Sequence, residues 1–479
     1  MKKGTSDFTK AISWTLLDRF SVIFMQFGGM IVLARLLLPE DFALLGIALF
    51  FIGISQILID SGMGGSLLQK KNVTDLDYST LFVYNMAVAI VMYLLIVLSA
   101  PFIEDFYSMP DLSSILSIIG ISLIISAAGK IQNILLYKSL SFKTISKISI
   151  FASFLGLVVA IIIASLGYGV WALVYQNILY ASTVLVLQFI NNGYLPKIAF
   201  SKSSFKEQWA FGGSLLYSKI INSIYLNVFQ LIFPKIASLN FAGLYTQANR
   251  LQQIPASVVN SVMQGAAFPV MSKIKKQQEL VLASRRLSRK VYLVSFSVYA
   301  FIAIFSKEII EVVLGTRWIA AANILSILSM IGIGTVISYV HRNIYKSAGL
   351  TRTILYNELW QTGIGVFFLV CTFTMGHYAI LWGMVSALFI SNVLLIRRIT
   401  EEMEIASSVL YRDIVLMSIP VVGSTLLALL LKSFLSELSA IGILLLALPI
   451  FILLVLVLGL AAKNKEVIYL YNILKRKIK

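Results

Sequence analysis

Residues 31–71 read IVLARLLLPEDFALLGIALFFIGISQILIDSGMGGSLLQKK. With the apolar run that begins at Ala11, this stretch predicts two membrane helices, joined by a tight turn at Pro39-Glu40-Asp41 and leaving through a basic exit at Gln69-Lys70-Lys71. A weaker copy returns about 200 residues later, a spacing far too long for a solenoid. Asp41-Phe42-Ala43-Leu44-Leu45 is echoed by Asn240-Phe241-Ala242-Gly243-Leu244, and Ser61-Gly62-Met63-Gly64-Gly65-Ser66 by Ser261-Val262-Met263-Gln264-Gly265-Ala266. Lys70-Lys71 is echoed by Lys275-Lys276. Internal repeats in a membrane protein predict a transporter with its substrate site between the halves.

Composition agrees. Of 479 residues, 59% are hydrophobic and 13% charged, more apolar surface than a water-soluble fold can hide, so lipid is the solvent for most of the chain. The formal charge of +18 sits in short runs between apolar segments, a pattern that orients loops toward the cytoplasm and argues against nucleic-acid binding. One cysteine, Cys371, excludes an intrachain disulfide, and two distant histidines, His341 and His377, suggest no metal site. The apolar run after Lys2-Lys3 is too long for a signal peptide, lacks a small-residue cleavage site and is expected to stay as the first span.

A window of about 20 apolar residues predicts an all-α polytopic membrane protein with about fourteen spans: 11–36, 42–60, 80–103, 112–135, 146–166, 168–191, 208–234, 241–270, 290–314, 322–347, 354–374, 378–398, 413–432 and 440–460. Alternate loops are basic throughout, from Lys70-Lys71 to Arg397-Arg398 and the Lys475-Arg476-Lys477 tail, while the loops at Pro39-Glu40-Asp41, Glu104 to Asp111, Gly167-Tyr168-Gly169 and Gly376-His377-Tyr378 are acidic or neutral. This alternation predicts a multi-pass membrane protein with both termini cytoplasmic. Helices one and seven both begin inside, so the repeats are parallel and related by a pseudo-two-fold along the membrane normal. The expected organisation is an N-terminal six-helix lobe at 1–191, a linker at 192–207, a second six-helix lobe at 208–398, and a tail at 399–479 carrying two further helices.

Charges inside a span cost about 2.5–3.5 kcal/mol or more at the centre and need a partner or a wet cavity. Asp18 and Arg19 in helix one read either as a mutual pair snorkelling to the inner face or as cavity charges. Arg35, Asp60 and Lys130 read as anchors at helix ends. Helix seven carries Ser214, Ser218, Asn222 and Tyr225 on one face with Lys219 beside them. Helix eight repeats the theme with Tyr245, Asn249, Gln252, Gln253 and Asn260, flanked by Arg250 and kinked at Pro255. Such stripes suit either interhelical hydrogen bonds or a watery cavity, and their length favours the cavity. Amides and hydroxyls match sugar hydroxyls, and Lys219 and Arg250 match an anionic group. Arg342 and Glu358 fall at one membrane level; they read first as a structural ion pair, with proton coupling at Glu358 or Asp18 as the sharper alternative. Glycines 62, 64 and 65 read as a helix break or close packing rather than a phosphate cradle. No nucleophile elbow, outward carboxylate pair or GxxxxGK[ST] loop occurs, so neither an enzyme nor an ATP-driven pump is indicated, and no cofactor is expected.

Several short stretches resemble one family. Ser66-Leu67-Leu68-Gln69-Lys70-Lys71-Asn72 followed by Asp77-Tyr78-Ser79-Thr80, Leu140-Ser141-Phe142-Lys143, Gly167-Tyr168-Gly169-Val170-Trp171-Ala172-Leu173-Val174, Gly243-Leu244-Tyr245 and Leu314-Gly315-Thr316-Arg317-Trp318 are similar in order and spacing to the Wzx-like oligosaccharide flippases of the multidrug/oligosaccharidyl-lipid/polysaccharide exporter superfamily. The resemblance implies a two-lobed bundle with a V-shaped cavity that moves undecaprenyl-pyrophosphate-linked sugars outward for O-antigen, capsule or exopolysaccharide synthesis. It also implies a polysaccharide polymerase and chain-length machinery as partners, beside membrane lipids and the lipid-linked oligosaccharide itself. The cavity-lining helices of the superfamily match helices one, two, seven and eight, which makes Arg19, Lys219, Asn222, Tyr225, Asn249, Arg250 and Gln253 the candidate substrate contacts. Two rival readings stand beside it. A small-molecule antiporter of the same superfamily would favour acidic cavity residues for cationic drugs, and a glycan polymerase or ligase would need larger outward loops.

Overall fold

The computed structural model describes residues 25, 27–435, 437–468 and 471. Asp18 and Arg19, with most of the first expected span, lie outside the described residues. Every regular element among those described is helical. Among the described residues, eleven helices are long and apolar enough to cross a membrane.

By compactness the chain falls into two units, meeting at Gly243 and Leu244. The first begins with α1 (Phe27–Leu36), α2 (Pro39–Asp60) and the short α3 (Met63–Gln69). Pro39 suits the first turn of α2, where its missing N–H is no loss, and the Asp41 carboxylate accepts from the Leu38 N–H at 2.9 Å. Two left-handed residues, Ser61 (φ 36°) and Gly62 (φ 75°), separate α2 from α3. Four long helices follow: α4 (Asp75–Tyr107), α5 (Leu112–Lys138), α6 (Phe142–Ser165) and α7 (Trp171–Asn192). Thr74 and Asp77 cap α4 reciprocally. Helix α5 packs between α4 and α7, and α6 packs on α7.

The next helix, α8 (Lys202–Ile236), packs on α2, α3 and α4. Compactness therefore groups it with the first unit, whereas the repeat groups it with the second half. Its approach to α2 depends on glycine. A Cβ on Gly212 would lie 2.5 Å from the Ser61 carbonyl oxygen and 2.7 Å from the Met63 nitrogen, so the two backbones touch. The expected close packing at Gly62 is this contact.

The second unit opens on α9 (Leu239–Val262), which a π-helical turn at Met263–Ala267 joins to α10 (Phe268–Met271). Pro255 cannot donate within α9, and the Tyr299 hydroxyl donates to the Gln252 carbonyl at 2.9 Å beside the kink. At the π turn the amide of Asn343 donates to the Met263 carbonyl at 2.8 Å. A broken membrane helix persists because side chains satisfy its backbone.

Helix α11 (Gln277–Ile304) corrects the expected span at 290–314. The basic stretch read as a loop is helical from Gln277, and the helix stops at Phe305 before a separate short α12 (Ser306–Val313). A hydropathy window cannot see a helix whose first turns are charged. The bundle continues with α13 (Ala321–Ser347), α14 (Thr351–Thr372), α15 (His377–Glu402), α16 (Ser407–Phe434) and α17 (Ala440–Ala461). Helix α11 packs on α13 and α16, α13 on α15, and α17 on α16 and α12. The core of this unit is aromatic, with Tyr292, Phe296, Tyr299, Phe305 and Tyr345 all buried. Leu98, Phe102, Val370 and Leu445 are among the many large apolar side chains left exposed, an outer surface suited only to lipid.

Candidate functional site

The polar helices α8 and α9 carry most of the expected contacts. Lys219, Asn222 and Tyr225 lie on the described backbone of α8, but their side chains lie outside the described part. On α9, Asn249 and Arg250 are half-buried and Gln253 is exposed. At spacings of three and four these residues share one accessible face. The expected stripe is split, however: Tyr245 and Gln252 are buried, turned into the packing rather than toward that face. A sequence stripe about a helix turn wide does not resolve its edges.

Helix α8 is tied down along its length within the first unit. Near its start Lys70 bridges Asp77 at 3.2 Å and Glu207 at 2.8 Å. Ser204 donates to Asp77, and the Gln208 amide donates to the Asp77 carbonyl at 3.1 Å. The hydrogen bond that Lys70 donates to Glu207, helped by the one it donates to Asp77, holds its ammonium above the ordinary pKa of 10.5. Lys138 donates to the Lys70 carbonyl at 3.1 Å, closing the end of α3. Toward its other end Tyr107 donates to the Leu231 carbonyl at 3.0 Å, and Lys235 sits 4.6 Å above the Phe106 ring.

The two hairpin copies meet just beyond. Asn240 donates to the Glu40 carboxylate at 2.8 Å, and Gly243 lies so close to Pro39 that a Cβ would collide with its carbonyl. These are the corresponding turns of the repeat, Pro39-Glu40-Asp41 and the approach to Gly243. The sequence related the two turns and left their contact unseen.

Other charges are paired. Asp60 and Lys130, read as separate anchors, form an ion pair with each other. Arg342 reaches Glu358 at 3.1 Å and the Gln361 amide oxygen at 2.7 Å, the structural arrangement expected for that pair. Two ion clusters had no sequence signal. Arg285 and Arg289 converge on Asp413, which is 2% exposed, and Lys432 bridges the buried Glu308 at 2.8 Å while donating to the Ile304 carbonyl. They bind α16 to α11 at one end and to α12 at the other. Two buried amides also escaped notice: Asn85 on α4 and Gln247 on α9 have side-chain atoms without hydrogen-bond partners.

Long apolar helices accompanied by the polar α8 and α9 define, among the described residues, a polytopic membrane protein of the transporter class. The family described as polysaccharide biosynthesis protein matches residues 32–323, and the chain belongs to that family. Among curated relatives, the chain is 24% identical over 367 residues to the teichuronic acid biosynthesis protein TuaB of Bacillus subtilis (strain 168), covering 76% of this chain and 75% of that protein. It is 25% identical over 327 residues to the lipopolysaccharide biosynthesis protein WzxC of Escherichia coli (strain K12), covering 67% and 66%. The matches thus span about two thirds to three quarters of these relatives. Of solved structures, the lipid II flippase MurJ in an inward closed conformation superposes with a TM-score of 0.74 at 13% identity, over 94% of this chain and 99% of that one. An inward-facing multidrug resistance transporter of the MATE family and MOP superfamily gives 0.56 at 15% identity, over 80% and 94%. Both likenesses concern the fold.

Proposed function

We propose that this protein is a flippase that moves undecaprenyl-pyrophosphate-linked oligosaccharide units across the cytoplasmic membrane by alternating access, for O-antigen, capsule or exopolysaccharide synthesis. Family membership and relatives named for teichuronic acid and lipopolysaccharide biosynthesis support the class of cargo. The observation that carries the reading is the accessible face of α9, where Asn249, Arg250 and Gln253 bring amides and a cation to a membrane-spanning bundle. A cation and amides within a membrane protein suit a polar, anionic cargo better than lipid.

In this account Arg250 and Lys219 each engage the diphosphate, since a cation in a low-dielectric site makes strong charge-assisted bonds to such oxygens. Asn222, Tyr225, Asn249 and Gln253 meet sugar hydroxyls, and Arg19 adds a further cation. Fourteen spans in two six-helix lobes with an added pair, linker at 192–207 and both termini cytoplasmic, complete the arrangement. The polymerase and chain-length machinery take the product on the far side. Glu358 is held by Arg342 and serves structure first; with Asp18 it is the carboxylate to test for proton coupling. The test is sugar export in cells carrying Arg250→Ala, Lys219→Ala and the corresponding Glu variants. Export falls in both Ala variants and further with Glu, with the protein still inserted. Normal export in both Ala variants would refute the assignment.

A further inference from the structure

A second polar site lies far along the chain from these residues, where α12 meets the ends of α16 and α17. A cavity of about 440 Å³ opens there, lined by Lys307, Glu308, Glu311, Lys432, Ser433 and Ser439. Its framework is already neutral. Lys432 is committed to Glu308, to the Ile304 carbonyl and to the face of Phe305 at 5.3 Å. That leaves Lys307, which is exposed, and Glu311, half-exposed one helical turn on, and neither has an ion-pair partner among the described residues. The start of α17 faces the same space. Ser439 accepts from the Gly442 N–H at 3.3 Å, and the two N–H groups before it have no acceptor within the helix.

The cavity thus offers one cation with a helix N-terminus for an anionic group and one carboxylate for a cationic group, about a helix turn apart. A simple anion would meet Glu311, and a simple cation would meet Lys307. The surrounding surface is apolar: Phe434 (84% exposed), Leu438 and Ile441 stand at the same helix ends, and half-exposed Leu429 lines the opening. These features together fit an amphiphile with a zwitterionic head. We propose that this cavity binds the headgroup of a phosphatidylethanolamine-type lipid, its phosphate toward Lys307 and the N-terminus of α17, its primary ammonium on Glu311, and its acyl chains against the apolar faces of α16 and α17. The ammonium keeps three donors, which a carboxylate can accept. On the proposed topology the site lies at the outer leaflet.

Native mass spectrometry of the full chain in detergent tests this, with phosphatidylethanolamine and phosphatidylglycerol of identical acyl chains. The ethanolamine lipid is retained over the glycerol lipid by about tenfold, a difference of about 1.4 kcal/mol. Glu311→Lys reverses the order, and Lys307→Glu loses the ethanolamine lipid. Soluble phosphoethanolamine at the same concentration leaves the bound lipid in place. Equal retention of the two lipids by the unaltered protein overturns the proposal without any variant, as does an unchanged order in Glu311→Lys. Displacement by soluble phosphoethanolamine would transfer the site from lipids to small zwitterions and overturn it as stated.

Discussion

Gly212→Ala puts the contact between α8 and α2 to the test. The new Cβ would stand 2.5 Å from the Ser61 carbonyl oxygen, 2.7 Å from the Met63 nitrogen and 2.9 Å from the Gly62 carbonyl carbon, whereas ordinary contact begins at 3.4 Å. All three are backbone atoms, held by the left-handed pair that ends α2, so no rotamer change relieves the clash. The helices must part by about 0.9 Å, the difference between 3.4 and 2.5 Å. Overpacking of this kind costs about 1–3 kcal/mol, and the better helix propensity of alanine offsets about 0.5–1 kcal/mol. The net loss reaches about 2.5 kcal/mol, with about 1 kcal/mol at the middle of the two ranges. Gly53→Ala in α2 is the matched control, because a Cβ there meets nothing within 4 Å and only the propensity gain remains. Thermal unfolding in detergent should lower the midpoint for Gly212→Ala and hold or raise it for Gly53→Ala. Where α2 and α8 separate during the transport cycle, each ~1.4 kcal/mol of this loss shifts the balance of states by about tenfold, and flipping rates change accordingly. Equal midpoints for the two variants would refute the backbone contact.

Asp413→Asn leaves Arg285 and Arg289 facing an uncharged, buried amide; losing one side of a buried ion cluster costs about 3–5 kcal/mol, read as lower yield and a lower unfolding midpoint, and a neutral result would mean the cluster is solvated. Cysteines at Glu40 and Asn240, in a background with Cys371→Ala, should cross-link under oxidation and stop export until reduced; export that continues while cross-linked would show that these turns need not part. The Lys70 bridge has a folded-state pKa above 10.5, so its contribution is complete below that value and is lost as pH rises through the raised one. Lys70→Gln should therefore lower the unfolding midpoint at pH 7–9 and converge with the unaltered protein in stronger alkali; a constant difference at all pH values would show that charge is not involved.

What the sequence disclosed and what it withheld follow from range. Lipid exposure is a property of every window, so α2, α4 to α7 and α13 to α17 announce themselves through length and apolar content. The family resemblance rests on short local stretches, and those survived. Partnerships across the fold did not. Asp413 lies more than a hundred residues from Arg285, and nothing local marks either as half of a buried cluster. The charged first turns of α11 read as a loop because hydropathy counts charges without asking what neutralises them. On α9 the burial of Tyr245 and Gln252 beside half-buried Asn249 and Arg250 depends on which neighbours pack there, which periodicity alone leaves open. Gly212 was unremarkable as a letter and Gly243 marked only a repeat and a resemblance; their close approaches to Ser61 and Pro39 are visible only in the fold.

The most direct measurement is flipping of a fluorescent undecaprenyl-pyrophosphate-linked oligosaccharide in proteoliposomes without ATP, with and without an imposed potential. An inside-negative potential favours outward movement of anionic charge by about 2.3 kcal/mol per charge per 100 mV if the charge crosses the whole field. The expected result is protein-dependent flipping that needs no nucleotide, slows when the potential is collapsed and is impaired by Arg250→Ala. Transfer no faster than in protein-free vesicles, with correctly inserted protein and an imposed potential, would contradict it.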